Sequence, residues 1–281
     1  MRANKKLLKV VPPIDIETLN GHRPKKVFES NQAIIFDDFL PEDIYQRVSH
    51  FARKMDYEHI NTKGKISRAW HLHDGFPLRS LLDLIYFADQ SNKPKEGYVY
   101  PTNGDLDLFT DHLLAIQPAV EGMLGKKGPG GWEVFSVTSW IYPAGTGLTM
   151  HHDGRGYTGA FVYFLSPAWR THWGGMLLLA DEEMNRAAHD YRNTQDQEDF
   201  YSLKWLNGNN VEERMMEVGF ARCIFPKKNR LVFMHHEAYH MVTRVNEAAG
   251  DNPRMTLAGF FLEKNPITVR DRNTPNGCSK T

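Results

Sequence analysis

The sequence predicts a mainly β fold, a sandwich or barrel of antiparallel strands flanked by helices, on three observations. From Gly131 onward six short runs rich in β-branched and aromatic residues follow one another: WEVFSVTSWIYP, TGAFVYFLS, GGMLLLA, RLVFMHH, YHMVTRV and RMTLAGFFL. Gly, Pro and polar turns separate them, as antiparallel connections require. Before Gly131 the apolar residues recur at helical spacing instead, which places helices beside the sheets rather than between the strands.

The helical expectations fall on residues 41–55, which open with Pro and two acids, on residues 77–89 (PLRSLLDLIYFAD), and on residues 105–124. The 281 residues are expected to form one domain, with 1–130 as mostly helical support and 131–265 as the β core. Residues 181–217 carry ten Asp or Glu against four Lys or Arg and read as an insertion, either a lid or a solvated surface excursion.

Composition narrows the function. Lys plus Arg equals Asp plus Glu, 34 against 34, so no overall field draws the protein to nucleic acid or an anionic membrane. A small neutral or locally charge-matched substrate is expected. Cys223 and Cys278 are far apart with no CxxC spacing, which leaves neither a disulfide scaffold nor a thiolate zinc site. No 18-residue apolar run occurs, and the basic N-terminus has no apolar stretch of signal-peptide length, so a cytoplasmic protein is expected.

The chemistry is carried by His151-His152-Asp153, which follows the turn 142–147 (YPAGTG). In an extended segment residues i and i+2 point to one side, so His151 and Asp153 can converge on one ion. An imidazole and a carboxylate are two-thirds of the facial triad that suits iron(II) and leaves coordination positions open. The third ligand is sought among His235, His236 and His240 in RLVFMHHEAYHMVTRV. His240 is preferred, because Val242 and Val245 beside it can pack into a barrel wall. Arg254, leading the last strand, is a natural bidentate anchor for a dicarboxylate.

The ordered series YPxGTG, HxD, WGGMLLL, NRLVFM, HMVTRV and RMTL resembles the iron(II) and 2-oxoglutarate-dependent oxygenases, in their prolyl 4-hydroxylase-like branch. The resemblance covers residues 132–262 and implies a double-stranded β-helix, the jelly-roll or cupin-like core, with the metal at its open mouth. It implies that His151, Asp153 and His240 hold Fe(II), that Arg254 pairs with the far carboxylate of 2-oxoglutarate, and that Tyr142 lines the cosubstrate pocket. Halogenating members lack the carboxylate ligand, so Asp153 points to oxygenation. The implied reaction consumes 2-oxoglutarate and dioxygen, releases succinate and CO2, and oxidises an unactivated C–H bond. An amino acid or other small metabolite is the expected substrate. A prolyl or other residue of a protein is the alternative, and a non-catalytic jelly-roll binding module is the alternative of another class.

Trp140, Arg155 and Trp169 are candidates for a substrate pocket, against the plainer reading of core tryptophans and a surface charge. His71 and His73 share the i, i+2 spacing and lie beside Asp74, but a structural or substrate-contact role is preferred for them, because no matching downstream set accompanies them. Residues 236–240 (HEAYH) superficially resemble the HExxH of zinc proteases and are not read as such a site.

Overall fold

The computed structural model describes residues 21–60, 74–153, 156–194 and 209–263. In chain order these form β1 (Lys25–Glu29), β2 (Ala33–Asp37), α1 (Glu42–Lys54), β3 (Tyr57–His59), β4 (Leu78–Ser80), β5 (Leu84–Phe87) and α2 (Asp105–Leu124). They continue with β6 (Val134–Tyr142), β7 (Leu148–His151), β8 (Tyr157–Phe164), β9 (Leu177–Ala180), α3 (Glu182–Thr194) and α4 (Asn209–Val218). The last strands are β10 (Ala221–Ile224), β11 (Leu231–His235), β12 (His240–Val242) and β13 (Arg254–Leu262).

Two antiparallel sheets form. The larger runs β1-β2-β11-β8-β13-β6-β4-β3, with β5 also paired to β6, and the smaller runs β10-β9-β12-β7. From β6 onward the chain passes back and forth between them, with β6, β8, β11 and β13 in the larger sheet and β7, the consecutive β9 and β10, and β12 in the smaller. That is the double-stranded β-helix expected from the sequence. Its inner faces meet through Ala160, Phe164, Val232 and Met234 on one sheet and Leu177, Leu179 and Ile224 on the other.

The other face of the larger sheet is covered by α1 and α2. In α1 the buried Ile44, Tyr45, Val48 and Ala52 make one stripe, with acids in the first turn and Arg53 and Lys54 in the last. In α2 the stripe includes Leu106, Phe109, Leu113, Ile116, Val120 and Leu124. Asp107 fixes the start of α2 by accepting from the backbone N–H groups of Thr102 and Asn103 at 2.7 and 2.6 Å. Gly125, at φ 81°, ends it.

Residues 77–89 correct the helical expectation, for they form β4 and β5. Their apolar spacing suits a helix, but β5 pairs with Val134–Val137 of β6 and buries Leu84, Tyr86 and Phe87. Leu81 and Leu82, which a helix would have buried, stand about half exposed between the two strands. Pairing along a central sheet edge outweighs local propensity here. The support before residue 131 is therefore mixed, five strands and two described α-helices, rather than mostly helical. Strands β7 and β10 are additions to the six runs read from sequence.

Candidate metal centre

His151 ends β7 and His240 begins β12, and the two are direct partners in the ladder of the smaller sheet. Their rings lie 4.3 Å apart between centroids. Asp153 sits two residues past His151, with its Oδ1 4.0 Å from His151 Nε2 and 3.9 Å from His240 Nε2. All three donor atoms lie within 4.8 Å of one another. Of the three downstream histidines weighed from sequence, it is His240 that joins His151 and Asp153.

Each ring is aimed from behind. His151 Nδ1 contacts the Thr149 carbonyl at 2.8 Å and His240 Nδ1 the Ala238 carbonyl at 2.9 Å. A carbonyl only accepts, so each Nδ1 carries the proton and each Nε2 presents its lone pair towards Asp153. Thr149 is itself held, its N–H donating to Asp74 Oδ1 at 2.7 Å. The turn before His240 is held by α3 and by the end of β9: Tyr239 N–H donates to Asn185 Oδ1 at 2.8 Å, and Ala180 N–H donates to the Tyr239 carbonyl at 2.9 Å.

Burial sets the protonation of the empty-handed donors. It raises the Asp153 carboxyl to about 6, against opposing pulls from His151 and His236. It lowers the His151 imidazole to about 4, with His240 adding to the fall and Asp153 and the Thr149 bond resisting it, and it lowers His240 as well. Both imidazoles are thus neutral at pH 7, as metal ligation requires, while Asp153 Oδ2 is buried without a hydrogen-bond partner.

A pH dependence follows. A divalent ion binds the ionised carboxylate, so below about pH 6 it must displace a proton from Asp153, and apparent affinity should fall about tenfold per pH unit. Below about pH 4 His151 also takes a proton and the slope should steepen. Above pH 7 affinity should be flat. Calorimetric titration with Co2+ from pH 5 to 8 measures this; an unchanged affinity between pH 7 and 5 would contradict the protonation scheme.

Arg254 is 1% exposed, and its Nε and Nη2 have no hydrogen-bond partner. Its guanidinium carbon lies 5.0 Å from the ring centroids of both Tyr142 and Phe164, and Tyr142 is its partner across the β13–β6 ladder. Gly175 makes room for it: a Cβ there would stand 3.0 Å from Arg254 Cδ, and its φ of +66° also favours glycine. Burial lowers the guanidinium to about 10 and raises the Tyr142 phenol to about 12, so at pH 7 the Arg is a cation and the Tyr is neutral. A cation kept in an apolar wall with unspent donors is suited to an incoming carboxylate.

Of the other residues singled out from sequence, Trp140 and Trp169 pack partly buried against the cluster of Tyr142, Val242 and Val245. Trp169 Nε1–H donates to the Gly174 carbonyl at 2.8 Å, which ties it to the turn beside Arg254. Arg155, His71 and His73 lie outside the described residues. Residues 236–239 form a turn rather than a helix, so HEAYH lacks the one-sided spacing of a zinc-protease helix.

The described part of the 181–217 insertion is the α3–α4 pair, docked through Met184, Ala188 and Met215 on Ala180 and Tyr239. Sequence reasoning missed Asn185 and Phe164, and missed the hold of Asp74 on Thr149, because these roles rest on contacts with residues distant in the chain. Asn185→Ala should leave the fold intact and weaken metal binding about tenfold, because the turn carrying His240 loses one of its two anchors. The Co2+ dissociation constant of the variant checks it.

The family model of the 2OG-Fe(II) oxygenase superfamily matches residues 135–262, the span that contains every one of these donors. No curated protein matches the chain. Among solved structures, a Pseudomonas putida prolyl-4-hydroxylase is similar at a TM-score of 0.50 and 15% identity, over 82% of this chain and 92% of that one. A Trichoplax adhaerens prolyl hydroxylase, solved in complex with a hypoxia inducible factor peptide fragment, is similar at a TM-score of 0.51 and 14% identity, over 87% and 88%. At these identities the two likenesses are of fold.

Proposed function

We propose that this chain, an enzyme belonging through residues 135–262 to the 2OG-Fe(II) oxygenase superfamily, hydroxylates or otherwise oxidises an unactivated C–H bond of a small molecule such as an amino acid. The enzyme uses Fe(II), 2-oxoglutarate and dioxygen. The donors fit these groups: two neutral imidazoles and one carboxylate for the metal, and a buried, unpartnered guanidinium for a carboxylate. The observation that carries the reading is this pairing of a convergent donor triad with an unsatisfied buried cation.

His151, Asp153 and His240 would hold the iron and Arg254 the far carboxylate of 2-oxoglutarate, beside the neutral Tyr142. When bound, the iron supplies activation of dioxygen coupled to decarboxylation of 2-oxoglutarate, which yields succinate and CO2. The chain's own part is positional. Asp74 and Asn185 keep the ligand-bearing segments in place, and the hydrogen bonds to Thr149 and Ala238 keep both Nε2 lone pairs turned inward. Trp140, Trp169, Val242 and Val245 form an apolar wall that keeps water from the guanidinium and strengthens its hold on an anion.

The small-molecule reading draws on the balanced charge of the chain. A peptidyl substrate is the second reading, favoured by the prolyl hydroxylase fold. A turnover screen with 2-oxoglutarate separates them, using pooled amino acids and metabolites in one arm and proline-containing peptides in the other. Substrate-dependent succinate with a 16 Da gain is expected in the first arm; a gain confined to the peptide arm would overturn the small-molecule assignment.

A further inference from the structure

We infer that a second divalent cation, of the borderline kind represented by Zn2+, binds at the turn between β11 and β12 through His235, His236 and Glu237. Adjacent side chains on a strand point to opposite sides. Here β11 stops at His235 and the chain turns at 236–237, so the His235 and His236 rings come to one side, 4.3 Å apart between centroids and 40° from parallel. Glu237 Oε1 lies 3.9 Å from His236 Nε2, and one donor atom from each of the three residues lies within 4.8 Å of the others.

These separations match those of His151, Asp153 and His240, which meet at 3.9 and 4.0 Å with rings 4.3 Å apart. The donor set is also the same, two imidazoles and a carboxylate. Ligand atoms about 2.0–2.1 Å from a tetrahedral ion stand about 3.3 Å apart, so the His236–Glu237 pair must close by roughly half an ångström and the other pairs by up to about one and a half. The His236 and Glu237 side chains are 30% and 59% exposed and can turn to do so.

Neither ring is committed elsewhere by a strong bond. His235 Nδ1 accepts only a long 3.4 Å bond from Glu237 N–H, and His236 Nδ1 is buried without a hydrogen-bond partner. Both histidines line a cavity of about 600 Å3 that Glu133, Glu263 and Thr158 also border, which leaves space for water to complete the coordination. The usual fate of three polar residues at a turn is solvation, and the convergence of the two rings is what sets this turn apart.

The test uses the full chain with the primary site removed. An Asp153→Ala/His240→Ala double variant, stripped of metal and titrated with Zn2+, is expected to keep one tightly bound ion per chain, against two for the parent, by calorimetry and elemental analysis. Adding His235→Ala and His236→Ala should abolish that ion, and adding Glu237→Gln instead should weaken it by more than about tenfold. A double variant that holds no Zn2+, or holds it as tightly after the histidines are removed, overturns the inference. Should the histidine variants fail the circular dichroism check for folding, the exposed Glu237→Gln decides, and an unchanged affinity there is equally fatal. The readout is metal binding alone, so the result stands apart from the oxygenase assignment.

Discussion

An Asp153→Ala enzyme is expected to form no more than about a hundredth of the wild-type succinate, while its metal-free form unfolds at the same or a higher temperature. Loss of a residue that merely orients a metal ligand costs 10- to 100-fold, and loss of a ligand costs at least the upper end of that range. The stability effect has the opposite sign because Asp153 is a liability without metal. Its carboxyl is buried, its Oδ2 has no partner, and burial holds its pKa at about 6, so at pH 7 folding must bury a costly charge. Substitution removes that cost. Metal at about a hundred times the dissociation constant of this site should stabilise the wild type through it by about 2.7 kcal/mol, and the variant should lose that contribution. Thermal unfolding with and without Co2+, alongside succinate assays, measures both; full iron-dependent turnover in the variant would remove Asp153 from the ligand set.

Replacing Arg254 should separate cosubstrate binding from the metal. Removing one partner of a buried, hydrogen-bonded charge pair costs about 2–5 kcal/mol, so Arg254→Met should raise the dissociation constant for 2-oxoglutarate at least about thirtyfold. Affinity for Co2+ in the absence of 2-oxoglutarate should stay near the wild-type value. The protein without cosubstrate should be as stable as the wild type or more so, since a buried cation with unpartnered Nε and Nη2 gives way to an apolar chain of similar length. The faces of Tyr142 and Phe164 recover part of the desolvation cost and limit the gain. Arg254→Lys keeps the charge but not the planar fork, and should fall between the two. Equal 2-oxoglutarate affinity in wild type and Arg254→Met would take the cosubstrate away from this residue.

How much of this was legible beforehand depends on how local each signal is. The helices α1 and α2 carry acids in their first turns and apolar stripes along their lengths, and the longer β runs carry their own composition, so each could be read within its own window. Residues 77–89 could not, because two periodicities fit them and only the neighbouring β6 decides between them. For the insertion, charge and length left a lid and a solvated excursion equally open, and they carried no sign of the docking of its described part through Met184, Ala188 and Met215 on Ala180 and Tyr239.

The sequence by itself determined that His151 and Asp153 face one side of an extended segment, since alternation is a property of any strand. It also determined that an Arg opens the last strand. Tertiary structure alone decided that His240 meets them, through a ladder in which it stands opposite His151. The same packing left the Arg254 guanidinium unpartnered between Tyr142 and Phe164 and turned His235 and His236 to one side. The physical reason is range: alternation and helical spacing act within a few residues, whereas register, burial and the loss of solvent partners are set by pairings between strands that the chain brings together from far apart.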